Sequence, residues 1–282
     1  MISLRLLASI SLASCIAFGA ASCSTTKTDQ SALKTAYVPA INRPAELKAS
    51  DPLPMEPAAW GKPNNPSGLA GRTLTVGSVS DIRLGPKEVV LTFDDGPMPG
   101  KTETILATLD RYGVKATFLM VGQMAKAHPA LARKVAARGH SIGSHTWRHA
   151  NLAGLGYDQA MTEILKGEDA VERGSGTEAG FFRFPYLAST PKLRSALARR
   201  GTVVLDVSVD SKDYFKSAPE TVVARTMGIL RHRHGGVILM HDIHGRTAAA
   251  LPGLLAQLKA EGYKVVNLRY KRSRMDMIAS LN

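Results

Sequence analysis

Five short stretches carry residue types that can move protons or hold a cation. The first is Thr92-Phe93-Asp94-Asp95-Gly96-Pro97, two adjacent carboxylates after an apolar run. Neighbouring residues at a strand end point in different directions. One carboxylate can therefore bind a cation while the other stays free as a base. The second stretch holds His145 and His149. A spacing of four puts both imidazoles on one face of a helical turn, close enough to share an ion, and neutral imidazole suits zinc and similar metals. Two histidines and one carboxylate make an open metal site, with positions left for water and a substrate oxygen. The third, Phe181-Phe182-Arg183-Phe184-Pro185-Tyr186, sets one arginine among aromatics, which is costly to bury without a carboxylate partner. The fourth, residues 206–214, is an apolar strand ending in acids, Asp210 and Asp213 among them. The fifth, residues 235–242, is a hydrophobic strand whose end presents His241. Singly, each has a plainer explanation: an acid-rich turn before Gly-Pro, or histidines satisfied in a core. Packing does not account for all five strand ends bearing polar chemistry.

The elements that must position these residues follow from hydrophobic period. Residues 88–93, 116–121, 141–143, 180–184, 202–207, 236–241 and 263–268 read as strands, with a further short strand at 72–76. Helical spacing covers 102–112, where Ile105, Leu106 and Leu109 share a face. It recurs over 123–138, 157–173, 191–200, 219–231 and 251–261, with Gly139 stopping the second helix. Strands alternating with helices imply parallel units. The fold class is α/β, and about seven such units fit an irregular (β/α) barrel, whose active site lies at the strand C-terminal ends. An open doubly wound sheet is the alternative. No glycine-rich loop follows the first strand, which disfavours nucleotide binding.

The chain has 282 residues, 44% hydrophobic and 21% charged, which is enough apolar material for one sizeable core. The net charge of +13 attracts polyanions in general, but the cations are scattered and no basic helix is interleaved with aromatics, so nucleic acid is not an expected partner. Residues 1–23 read as a signal peptide: Arg5, an apolar run too short for a membrane span, and small residues ahead of Cys23. That ending resembles a lipoprotein signal, with Cys15 or plain secretion as the alternatives. Both cysteines fall within these residues, so the rest of the chain holds no internal disulfide. Residues 24–85 hold many of the prolines and read as an extended tether, and 86–282 as the catalytic domain. The expected location is the periplasm or envelope, with membrane association through an N-terminal lipid, as a monomer.

The five segments, in this order, resemble the polysaccharide deacetylase family (the NodB homology domain, carbohydrate esterase family 4) over about residues 87–268. The resemblance implies one divalent metal, zinc first, with cobalt, nickel or manganese accommodated, held by Asp95, His145 and His149. It implies Asp94 as the general base that takes a proton from the attacking water, and His241 as the general acid on the departing sugar amine. Arg183 matches the partner of the base, and Asp210 the acid that orients His241. The Tyr186 backbone N–H matches an oxyanion donor, and Tyr214 and Leu239 match walls of the acetyl pocket. Three positions depart from the family pattern: Tyr214 where tryptophan is frequent, Phe184 after the arginine, and Leu187 where glycine is frequent. The activity so implied is N-deacetylation of an acetylated polysaccharide, whether peptidoglycan, chitin-like or an exported glycan. An O-acetyl esterase and a catalytically silent glycan-binding envelope protein are the competing readings.

Overall fold

A computed structural model describes residues 68–272. The signal segment, Cys15, Cys23 and most of the expected tether lie outside the described residues. In chain order the elements are β1 (Ala70–Val76), β2 (Glu88–Asp94), α1 (Lys101–Arg111), β3 (Thr117–Met120), α2 (Gly122–Ala127), α3 (Pro129–Ala137) and β4 (Ser141–Ser144). Then come α4 (Tyr157–Ser175), β5 (Phe181–Phe182), α5 (Pro191–Arg199), β6 (Val203–Val204), β7 (Val209–Asp210), α6 (Pro219–Arg233), β8 (Gly236–His241), α7 (Gly245–Ala260) and β9 (Lys264–Tyr270).

Every strand pairing among the described residues is parallel. From β2 the wall runs one way through β3, β4, β5 and β6, and the other way through β8 and β7. β2 shows why the sequence builds a two-sided wall. Its side chains alternate: Val89, Leu91 and Phe93 join the layer under the helices, and Val90 joins the inner cluster with Leu119, Phe181, Val203 and Val237. Thr92 and Asp94 share the inner face with Val90, so the strand delivers a carboxylate to the barrel mouth. Each fully buried large apolar side chain contributes about 1.5–3 kcal/mol. β9 pairs with only the first two residues of β2, Glu88 and Val89, and carries β1 on its other edge. The Ser141 hydroxyl, on β4, donates to Leu268 O on β9. The β1–β9 pair therefore closes the end away from Asp94.

Several sequence expectations change. β1 belongs to the sheet, so the folded unit reaches upstream of the expected boundary at 86; its hydrogen bonds to β9 are the reason. The helix expected over 123–138 is two, because Pro129 forces His128 out of helical conformation (φ −129°, ψ 56°). The last helix begins at Gly245 rather than 251 and runs through Pro252, with the alanine-rich segment before it supplying helix propensity. The strand expected over 202–207 is only two residues, and a further short strand, β7, pairs with β8 instead.

Candidate active site

Asp94 and His241 are register partners at the ends of β2 and β8, so their side chains stand on the same face. Asp94 is 2% exposed. The Arg183 Nη1 donates to Asp94 Oδ1 at 2.7 Å and to Thr92 Oγ1 at 2.8 Å, and its Nε donates to Leu205 O at 3.0 Å. This answers the cost of placing an arginine on β5's extension: it is buried against a counter-charge.

Asp95 follows in left-handed backbone (φ 78°), which turns its side chain away from that of Asp94. The next peptide bond, Gly96–Pro97, is cis. Asp242 holds this turn: Gly96 N donates to its Oδ1 at 2.9 Å and the Thr102 hydroxyl to its Oδ2 at 2.6 Å. A Cβ on Gly96 would sit 2.1 Å from that carboxylate, so only glycine fits. Burial pushes the Asp242 carboxyl up to about 7 against those hydrogen bonds.

His145 and His149 flank an irregular turn rather than the expected helical one, with Thr146 (φ 68°) and His149 (φ 59°) both left-handed. The rings still meet, with centroids 4.8 Å apart. α4 fixes this turn from behind. Trp147 N donates to Glu163 O, and Gly167 lets the helix approach so closely that a Cβ there would lie 2.3 Å from Thr146 C. His145 Nδ1–H donates to Arg183 O at 2.8 Å, which leaves Nε2 with its lone pair toward the cavity. Asp95 Oδ1 lies 3.6 Å from His145 Nε2 and 3.4 Å from His149 Nε2. Ligand atoms of the three residues all fall within 4.8 Å of one another, and Asp95 Oδ1 is buried without a hydrogen-bond partner. Burial holds the His145 imidazolium below its ordinary pKa range against the pull of Asp94 and Asp95, which favours the neutral ligand form. A carboxylate oxygen left orphaned between two imidazoles fits a bound cation.

The acid on His241 is Asp213, a correction to the expected Asp210. His241 Nδ1–H donates to Asp213 Oδ1 at 2.7 Å, and Asp213 Oδ2 accepts from His241 N at 2.7 Å and the Thr247 hydroxyl at 2.6 Å. Asp210 instead accepts from Lys212 N at 2.9 Å and the Tyr214 hydroxyl at 2.9 Å. Lys212 is left-handed (φ 52°), and the turn through it carries Asp213, not Asp210, under the imidazole. Burial works against charge on both partners, yet the pair outweighs it. Asp213 stays below the usual carboxylate range, and His241, with Asp94 and Asp95 adding to Asp213, is pushed up to about 9. The Tyr214 phenol is pushed up to about 12 by burial and by Asp210, so it remains a donor.

These groups converge on a cavity of about 440 Å³ lined by Asp94, Asp95, His145, His149, Tyr186, Tyr214, Leu239 and His241 among others. Tyr186 is held at φ 57° and Leu187 at φ 56°. Non-glycine residues in that region cost about 1 kcal/mol or more each and gather at functional sites. Every candidate residue named from the sequence lines or adjoins this cavity, Asp210 included. Asp242, Thr102, Thr247 and Glu163 were not legible as site residues, because each acts only through contacts with remote segments. A larger cavity of about 860 Å³, where β6 and β7 fail to pair, holds none of the candidates.

The family model described as polysaccharide deacetylase matches residues 81–205. That span contains Asp94, Asp95, His145, His149 and Arg183 and stops short of Asp213 and His241. The peptidoglycan-N-acetylglucosamine deacetylase PgdA of Listeria monocytogenes is 35% identical over 182 residues, which is 64% of this chain and 38% of the relative. The chain thus spans well under half the length of that relative. A peptidoglycan-N-acetylglucosamine deacetylase of Bacillus cereus is 31% identical over 84% of this chain and 82% of the relative. Among solved structures, the Bdellovibrio bacteriovorus peptidoglycan deacetylase Bd3279 superposes with a TM-score of 0.66 at 31% identity, over 72% of this chain and 60% of that one.

Proposed function

The chain belongs to the polysaccharide deacetylase family, and from that premise we propose that it hydrolyses N-acetyl groups of an acetylated glycan, with peptidoglycan the first candidate. The observation that carries this reading is the pair of proton-transfer groups facing one cavity: Asp94, a carboxylate buried against Arg183, and His241, an imidazolium sustained by Asp213. A positioned base and a positioned acid facing one cavity are what general acid–base hydrolysis of an amide uses.

Asp94 accepts a proton from the attacking water as its oxygen adds to the acetyl carbon. The Tyr186 N–H, held in its left-handed turn, is the proposed donor to the developing oxyanion. His241 then gives its proton to the amide nitrogen as the carbon–nitrogen bond breaks, which releases acetate and leaves a free sugar amine. Asp213 keeps the tautomer and orientation of His241 throughout. Leu239 and the Tyr214 ring, which meets His241 edge-on at 5.6 Å, wall the acetyl methyl from water. Asp95, His145 and His149 would hold a divalent cation, proposed as zinc, whose Lewis acidity polarises a carbonyl and lowers the pKa of water.

Relatives named for peptidoglycan support an envelope location, to which the proposed lipid at Cys23 and monomeric state would add. No helix among the described residues is long and apolar enough to cross a membrane. The test is acetate release from N-acetylglucosamine oligomers and peptidoglycan fragments by the purified chain, before and after metal removal and in Asp94→Asn. Metal-dependent release that Asp94→Asn abolishes is expected. A folded, zinc-loaded chain that frees no acetate from any of these substrates refutes the proposal.

A further inference from the structure

Six helices lead directly into a strand: α1 into β3, α3 into β4, α4 into β5, α5 into β6, α6 into β8 and α7 into β9. Because every strand pairing is parallel, these six helix ends lie together at the base of the barrel, away from Asp94 and His241. Each has a cation in its last turn. One cation per helix is what the negative end of a helix dipole favours. Two observations go beyond that. First, the base carries a surplus of positive charge. Asp110, Asp169 and Glu261 are taken by Lys115 with Arg138, by Arg173 and by Arg231. Arg111, Lys134, Arg199, Arg233 and Lys259 are exposed and have no ion pair among the described residues. Second, α6 ends in the run Arg231-His232-Arg233-His234, well beyond the needs of one cap. His232, Arg233 and His234 line the groove of about 860 Å³ together with Val79, Ile82 and Leu84. Val79 is 47% exposed, an apolar side chain left at the surface beside unpaired cations.

We infer that the base of the barrel is a docking face for a membrane surface rich in anionic phospholipid, and that docking there points the catalytic mouth away from the membrane. The inference goes beyond the deacetylase reading and does not depend on it. Charge complementarity selects an anionic surface. A linear polyanion would call for cations along one track. Here they are spread over separate helix ends around the base, which suits a planar array of headgroups. The groove sets an apolar wall, Val79, Ile82 and Leu84, against the cationic end of α6. Phosphate heads above acyl tails offer the same pairing of charge and apolar surface. The upstream residues also join the fold at this end: Lys264, at the start of β9, donates through Nζ to Gly68 O, and Val265 N donates to Leu69 O at 2.8 Å. A glycan that reaches Asp94 then approaches from the side opposite the membrane.

Vesicle sedimentation measures the partition of the full chain, carrying Cys15→Ser and Cys23→Ser so that no lipid can be attached. Vesicles of equal parts phosphatidylglycerol and phosphatidylcholine are compared with pure phosphatidylcholine, whose binding gives the share due to residues 1–23. Preference for the anionic vesicles is expected, and it should fall as salt is raised. Each cation near such a surface contributes about fivefold to the partition, so Arg199→Gln, Arg233→Gln and Lys259→Gln combined should lower it at least about tenfold. Lys101→Gln, Lys192→Gln and Lys216→Gln combined remove the same charge from the mouth end and should lower it by less than about threefold. Thermal melting verifies that both triple variants fold. Equal binding to the two kinds of vesicle, an equal loss in the two triple variants, or undiminished binding by the base variant overturns the inference. Binding of soluble polyphosphate without binding of anionic vesicles also overturns it, in favour of a free polyanion as the partner.

Discussion

Replacing Asp213 and Asp210 one at a time separates two acids three residues apart that play different parts. Asp213 accepts from His241 Nδ1 at 2.7 Å, and Asp210 is engaged with Lys212 N and the Tyr214 hydroxyl. Asp213→Asn keeps the shape but removes the charge that carries His241 to about 9. With that charge gone, burial is opposed only by Asp94 and Asp95, and the imidazolium moves down toward its ordinary 6.5. A drop from about 9 to 6.5 is worth roughly 3 kcal/mol of lost preference for the protonated acid. At pH 8 the protonated fraction then falls from about 90% to about 3%, a loss of about thirtyfold in kcat/KM, whereas at pH 6 the protonation loss is under about twofold. A cation held by Asp95, His145 and His149 would lower the pKa of His241 in both chains, so the displacement of the basic limb between them is the quantity to read. The assay is the pH profile of kcat/KM for acetate release from a tetrasaccharide, with Asp210→Asn as the comparison. Asp210→Asn should leave the basic limb within about half a unit of wild type, since no hydrogen bond to His241 is lost. If Asp210→Asn moves the limb and Asp213→Asn does not, the assignment of the orienting acid is wrong.

Three further outcomes follow from other parts of the structure. Arg183→Met strips Asp94 of its buried partner and should cost about 3–5 kcal/mol, read as a lower urea midpoint; adding Asp94→Asn should restore part of it, and no restoration refutes the pairing argument. His140, buried with its Nδ1 accepting from Ala116 N, is pushed down to about 3 by burial and then by Lys115 and Arg138. Because its folded pKa lies below the unfolded 6.5, stability is full above pH 6.5 and falls as the pH drops toward 3, by roughly 4 kcal/mol across that window. His140→Asn keeps the acceptor and should flatten that part of the stability–pH curve; an unchanged slope means other groups govern it. Gly167→Ala drives a methyl into Thr146 and should loosen the His145–His149 turn, lowering zinc affinity measured by calorimetry at least about tenfold; wild-type affinity would show that the turn does not depend on α4.

Much of the chemistry is legible in the chain because it is local. Strand-end acids, a histidine pair four apart and the apolar run before His241 each occupy a few consecutive residues. Alternation along β2 suffices to aim Thr92 and Asp94 at the mouth once a barrel is recognised. What local pattern cannot supply is the partner across space. Asp210 and Asp213 are chemically identical on one short segment, and a left-handed turn at Lys212, closed by contacts from β8 and α7, decides which meets His241. Asp242 and Thr102 reach the Asp95 turn from positions 140 residues apart. The strand at 70–76 enters the sheet only because β9, at the far end of the chain, offers it an edge. The sequence by itself determined which functional groups are present and which strands carry them. Tertiary structure decided their pairings, because a hydrogen bond or a pKa depends on distance and burial, and both are set by segments remote in the chain.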